Sequence, residues 1–145
     1  MSPQRSDAQL PAVLSRMLSL WNGASVDPRQ VYTSPCFVDG GPGSFQPGEA
    51  LDDVATWRSA FPDLRWDVLD WFSADGRYVL RMELTGTHTG GMFRTSIGEV
   101  PPTGRPVRAS GLEVFILEDD RIVDVWLGWD RALIWDALGA RFPVT

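Results

Sequence analysis

The stretch VRASGLEVFILEDDRIVDVWLGW, residues 107–129, decides the fold. Apolar and polar residues alternate with period two on either side of Glu118-Asp119-Asp120. That is the signature of two strands joined by a tight turn. The same period runs upstream, through Leu64 to Phe72, a turn at Asp75-Gly76, and a long strand from Arg77 to His88. Gly90-Gly91 suggests a bend, and Met92 to Ile97 is expected to continue the sheet. Pro101 to Arg105 reads as a loop.

Before Phe61 the period is helical. Pro11 opens a first helix with Val13, Leu14, Met17, Leu18 and Trp21 on one apolar face, and Asn22-Gly23 ends it. Asp27 to Tyr32 reads as a second short helix, with Pro28 near its start. Glu49 to Phe61 forms the next, with Leu51, Val54, Ala55 and Phe61 inward, and Pro62 stops it. After the strands, Asp130 caps a terminal helix that ends near Gly139. Helices packed on a run of antiparallel strands imply an α+β fold. One domain over residues 1–145 is expected, with residues 1–9 disordered.

Composition narrows the function. The chain has 145 residues, 43% of them hydrophobic, with seven Trp and seven Phe. That many aromatics fits a large apolar cavity or a hydrophobic oligomer interface. A net charge of −6 and the lack of any Lys/Arg run argue against nucleic acid or an anionic membrane as partner. Cys36 and His88 stand alone in their types, so multi-Cys and multi-His metal sites are excluded. No leader or membrane-spanning pattern is evident, and the cytoplasm is the expected location.

Two carboxylates stand out. Asp39 ends the apolar run of CFVDGG, residues 36–41. It is either a turn residue bonded to the amides of Gly40 and Gly41 or the base of a pocket. Glu113 sits mid-strand in GLEVFIL. It is either on a wet or dimer-facing surface, paired with Arg81 or Arg108, or inside a greasy pocket beside Phe115 and Leu117. Asp67 has an ambiguous face. Glu83 reads as an ion-pair partner. Trp66, Trp129 and Trp135 are expected to line a pocket, while Trp71 and Trp126 fit a pocket or an interface.

Four segments resemble the SnoaL-like polyketide cyclases and ketosteroid isomerases of the nuclear-transport-factor-2-like superfamily. They are FPDLRWDV (61–68), ELTGTHTGGMF (83–93), PPTGRPVRASGLEVFILEDDRIVDVW (101–126) and WDRALIWDALG (129–139). The resemblance implies a cone-shaped curved antiparallel sheet. N-terminal helices and a short C-terminal helix would enclose a pocket, and the outer sheet face would form a homodimer.

It also implies roles for residues. The position of the aldol-type cyclases' last-strand aspartate is Leu127, and that of their functional histidine is Glu113. His88 matches a different family histidine, in the GTHTG stretch. The isomerases' base falls on Asp39 and their second acid on Glu113, whereas their first-helix tyrosine has no counterpart. Related epoxide-opening enzymes make Asp67 a candidate second acid. The implied activity is acid/base cyclisation or isomerisation of a hydrophobic polyketide-like molecule, without cofactor or metal. Asp39, Glu113 and Asp67 would be catalytic, and Trp66, His88, Leu127 and Trp129 substrate-binding. An epoxide hydrolase using water and a non-catalytic binding or dimerisation module are the alternatives.

Overall fold

A computed structural model describes residues 9–39, 43–95 and 98–141. Residues 1–8 of the expected disordered segment, and the Gly40-Gly41 turn, lie outside them. Helix α1 spans Ala12–Trp21 and buries Val13, Leu14, Met17 and Leu20. Each such side chain contributes roughly 1.5–3 kcal/mol on burial. Asn22 then does more than end the helix. Its side chain accepts from the Trp66 N–H at 2.8 Å and donates to the Trp66 carbonyl at 3.0 Å, tying α1 to the sheet edge.

A 3-10 turn follows at Pro28–Gln30, capped by Asp27. Tyr32, expected at a helix end, instead opens strand β1, Tyr32–Val38. A further short strand, β2, Gly43–Phe45, lies between β1 and the next helix. Helix α2 spans Pro47–Ala60 and buries Ala50, Val54 and Ala60. Leu51, expected inward, is exposed, because the small Ala50 and Val54 make the close approach.

The remaining strands are β3 Arg65–Ala74, β4 Arg77–Thr87, β5 Phe93–Thr95, β6 Gly98–Val100, β7 Pro106–Glu118 and β8 Arg121–Trp129. Helix α3, Arg131–Ala137, is capped by the Asp130 side chain on the Ala132 N–H at 3.1 Å. Left-handed residues close both long hairpins, Asp75 and Gly76 after β3, Asp119 and Asp120 after β7.

The main sheet is curved and runs β2-β1-β8-β7-β4-β3. Its β3-β4-β7-β8 part is antiparallel, as the alternation predicts. The sheet is nevertheless mixed, because β1 pairs parallel to β8. Of the segment expected to continue it, Phe93–Thr95 does not join: β5 pairs antiparallel with β6 in a separate two-stranded sheet, and Ser96 and Ile97 lie outside the described residues. No helix among the described residues is long and apolar enough to cross a membrane.

Candidate active site

Alternation along the central strands gives the sheet an inner and an outer face. On β8 the inner residues are Val125, Leu127 and Trp129. On β7 they are Glu113 and Phe115, and on β4 Met82 and Leu84. These line a cavity of about 860 Å³ between the sheet and helices α1, α2 and α3. One end is closed by buried residues, among them Met17, Tyr32, Ala50 and Phe115. The mouth carries the exposed Asp39, Asp53, Arg94, Leu127 and Arg131.

Tryptophans build one wall in edge-on contact. Trp66 meets Trp21 at 5.6 Å, Trp57 at 5.9 Å and Trp129 at 5.2 Å between ring centroids. Gly111 makes this wall buildable. It pairs with Trp129 in register, and a Cβ there would sit 2.4 Å from the indole. The Nε1 atoms of Trp66 and Trp129 are buried and have no hydrogen-bond partner among the described residues.

Glu113 projects from this wall of β7 into the cavity. Of its two expected alternatives, the inner face is the observed one. Arg108, a partner considered for it, pairs instead with Glu83 at 3.5 Å. Desolvation pushes the Glu113 carboxyl up from 4.5 to about 7. The Trp129 indole N–H beside it pulls partly the other way. Near neutral pH Glu113 therefore keeps a substantial protonated fraction, the form that can give a proton or a hydrogen bond.

Asp39 is placed differently. It follows β1 in a left-handed conformation, φ 57°, which Asp tolerates. Its N–H donates to the Val125 carbonyl at 2.6 Å, and its carboxylate accepts from the Leu127 N–H at 2.9 Å. The side chain thus continues the β1–β8 ladder one step past the strand. Leu127 is also the register partner of Glu113. The two acids therefore flank β8 in one row, two strand spacings or ~10 Å apart at the backbone. Asp39 is exposed at the mouth rather than buried in the pocket.

Asp67 lies elsewhere. Trp66 and its partner Leu84 face the cavity, so Asp67 and its partner Glu83 face outward. Asp67 pairs with Arg65 at 2.9 Å. His88 also lies outside the cavity lining. It is fully buried, stacked on Phe61, with Nε2 2.9 Å from the Gly91 carbonyl and Nδ1 3.2 Å from Thr103 Oγ1. The loop it pins brings the Gly90 and Gly91 N–H groups onto the last carbonyls of α2, at Ala60 and Ser59. Gly90 is required there, since a Cβ would lie 1.9 Å from the Ser59 oxygen. Trp66, Leu127 and Trp129 do line the cavity, as does Trp135. Trp71 is buried in the core and Trp126 is exposed on the outer face.

Two polar groups escape sequence reasoning. Asp53 reaches the mouth from α2, and desolvation, with Asp52 and Glu49 beside it, raises its carboxyl above the ordinary value. Tyr32 lines the closed end. A run of acids on α2 and an expected helix end at Tyr32 gave no sign of either placement. Among the described residues, no cluster of three or more His, Cys, Asp or Glu is arranged to hold a metal ion.

The model of the SnoaL-like polyketide cyclases matches residues 12–138. The chain belongs to that family. Membership assigns it the general cyclase or isomerase class of activity. Solved structures agree on the fold. TsrD from Streptomyces laurentii is 20% identical with a TM-score of 0.73, over 89% of this chain and 93% of that one. IdmH from Streptomyces antibioticus is 21% identical with a TM-score of 0.71, over 91% and 100%. A SnoaL-like polyketide cyclase from Agrobacterium tumefaciens is 20% identical with a TM-score of 0.66, over 91% and 100%. A search among curated proteins finds no match.

Proposed function

We propose that this SnoaL-like chain is a cofactor-independent cyclase for a hydrophobic polyketide-like intermediate, with Glu113 as the general acid. The observation that carries the reading is the Glu113 carboxyl, held partly protonated by desolvation, on the wall of a tryptophan-lined cavity. In the epoxide-opening form, Glu113 gives its proton to the epoxide oxygen as the C–O bond breaks. A hydroxyl oxygen of the same substrate attacks the carbon and loses its proton to a carboxylate at the mouth. Asp39 suits that role because its Leu127 hydrogen bond fixes it in the same row as Glu113. The product is an isomer of the substrate, and solvent returns the proton from Asp39 to Glu113. In the carbon–carbon form, Asp39 removes a C–H proton beside one carbonyl, the enolate carbon attacks a second carbonyl carbon of the same substrate, and Glu113 gives its proton to the oxygen that gains charge there. The cavity holds the chain folded so that the reacting atoms meet.

Self-association through the outer face belongs to the same reading. Phe72, Val79, Val114 and Trp126 are in register across four strands there, and Trp126 and Phe72 are exposed. Such a row favours a second copy of the chain as its cover.

The test is turnover of linear hydroxy-epoxides and linear diketones, followed by mass spectrometry. Cyclisation gives a product of unchanged mass, and E113Q should abolish it. Addition of one water would instead assign an epoxide hydrolase. Binding without turnover would assign a ligand-binding module.

A further inference from the structure

The closed end of the cavity holds a polar group that the acid/base reading leaves unused. Tyr32 lines the cavity and is 4% exposed. Trp21, the last residue of α1, donates from Nε1 to the Tyr32 hydroxyl at 3.0 Å. A phenol has one proton to give and two lone pairs to receive. The indole occupies one lone pair, so the proton of Tyr32 points to some other acceptor. No described residue accepts it, and Tyr32 lines the cavity, where water or a bound ligand supplies the acceptor.

The phenol stays protonated. Desolvation raises it well above its ordinary value, and Glu113, Cys36 and Asp53 add to the shift, against the opposing hydrogen bond from Trp21. Tyr32 and Glu113 enter the cavity from different levels of the sheet. The register partner of Tyr32 on β8 is Ile122, which lies opposite Leu117 of β7, and Glu113 is four residues back along β7, roughly 14 Å at the backbone. Their side chains then converge closely enough for the Glu113 charge to act on the phenol. Both side chains reach one cavity, but from bases set well apart. Trp21, Trp66 and Trp129, meeting edge to face, give the same cavity an aromatic wall against which a conjugated ring can pack.

We infer that Tyr32, positioned by Trp21, is a carbonyl-recognition subsite that donates a hydrogen bond to a second, non-reacting ketone oxygen of the substrate. The inference rests on the proposed cavity function and deepens it. The substrate would be a flat, conjugated compound with two oxygens, one under Glu113 and one buried at the α1 end. The pair Tyr32–Trp21 then sets which end of the molecule enters first.

The test needs no turnover. Isothermal titration would compare 2-acetylnaphthalene with 2-ethylnaphthalene, which has the same shape without the carbonyl. The wild-type protein should prefer the ketone by roughly fivefold to tenfold, the size of one neutral hydrogen bond. Y32F, which deletes only the hydroxyl, should lose that preference while binding the hydrocarbon as before. W21F should keep part of it. E113Q should keep all of it. A Y32F protein that still prefers the ketone overturns the inference while leaving the cavity reading intact. So does an E113Q protein that loses the preference, because Glu113 would then be the group that reads the carbonyl. If neither compound binds the folded wild type, the cavity reading and the subsite both fail.

Discussion

The closed end of the cavity and its mouth carry the same kinds of polar group in opposite conditions. Inside, Glu113 and Tyr32 face tryptophan, methionine and phenylalanine, and desolvation favours their neutral forms. At the mouth, Asp39 is exposed and hydrogen-bonded to a backbone amide. Arg94 there pairs with Glu99 at 3.4 Å, both side chains exposed. Depth along one cavity thus separates a desolvated carboxyl from an exposed, hydrogen-bonded one, although both flank the same strand, β8. Burial gives the inner group the neutral form that a proton donor needs.

The largest effect expected from breaking this contrast is on turnover. E113Q keeps the shape of Glu113 and removes its transferable proton, so kcat should fall by about 10²- to 10⁴-fold, measured on whichever substrate the mass screen identifies. D39N keeps the oxygen that accepts from Leu127, so it should leave the fold intact and lower kcat if Asp39 is the base.

Stability against pH separates inside from outside next. Below pH 4.5 Glu113 is protonated in the folded and unfolded chain alike. As pH rises from 4.5 to about 7, the unfolded chain gives up that proton and the folded chain holds it, so stability falls. Above 7 the loss levels off. E113Q lacks this dependence. Its stability advantage over wild type should grow across that window to about 3 kcal/mol, read by urea unfolding at several pH values. An advantage independent of pH would place Glu113 in water.

His88 sits outside both regions. H88A removes the ring that pins Gly91 and Thr103, and should cost about 1–3 kcal/mol of unfolding free energy. The 2-acetylnaphthalene affinity should change little. A large loss of binding with stability retained would put His88 back among the substrate contacts. The smallest effect is expected at the mouth, where D39A leaves the Leu127 N–H to water and should cost about 0.5–1.5 kcal/mol.

These residues also show what a sequence discloses. Glu113 was legible as a problem, since a carboxylate amid Leu112, Val114 and Phe115 must be paired, exposed or protonated. Strict alternation along β7 then carried Phe115 onto the same face. The register shift in β3 between Val68 and Asp70, together with the lack of a clear apolar face near Asp67, hid which way that residue points. His88 was conspicuous for its rarity and its motif, yet its partners Gly91 and Thr103 make it a brace for a loop. Strand β1 escaped because its partner, β8, lies far along the chain and pairs in parallel, a contact that local periodicity does not encode. With β1 unread, Tyr32 was assigned to a helix end and its place in the cavity was lost. The helices, the two long hairpins and the Asp130 cap depend on local patterns, and they emerged with small shifts of boundary.

The central claim is that Glu113 is a desolvated acid. Carbon-13 NMR of labelled glutamate carboxylates, titrated with pH and assigned with E113Q, measures it directly. The account predicts one glutamate titrating at about 7, absent from the E113Q spectrum. A Glu113 that titrates near 4.5 would contradict it and leave the cavity without its acid.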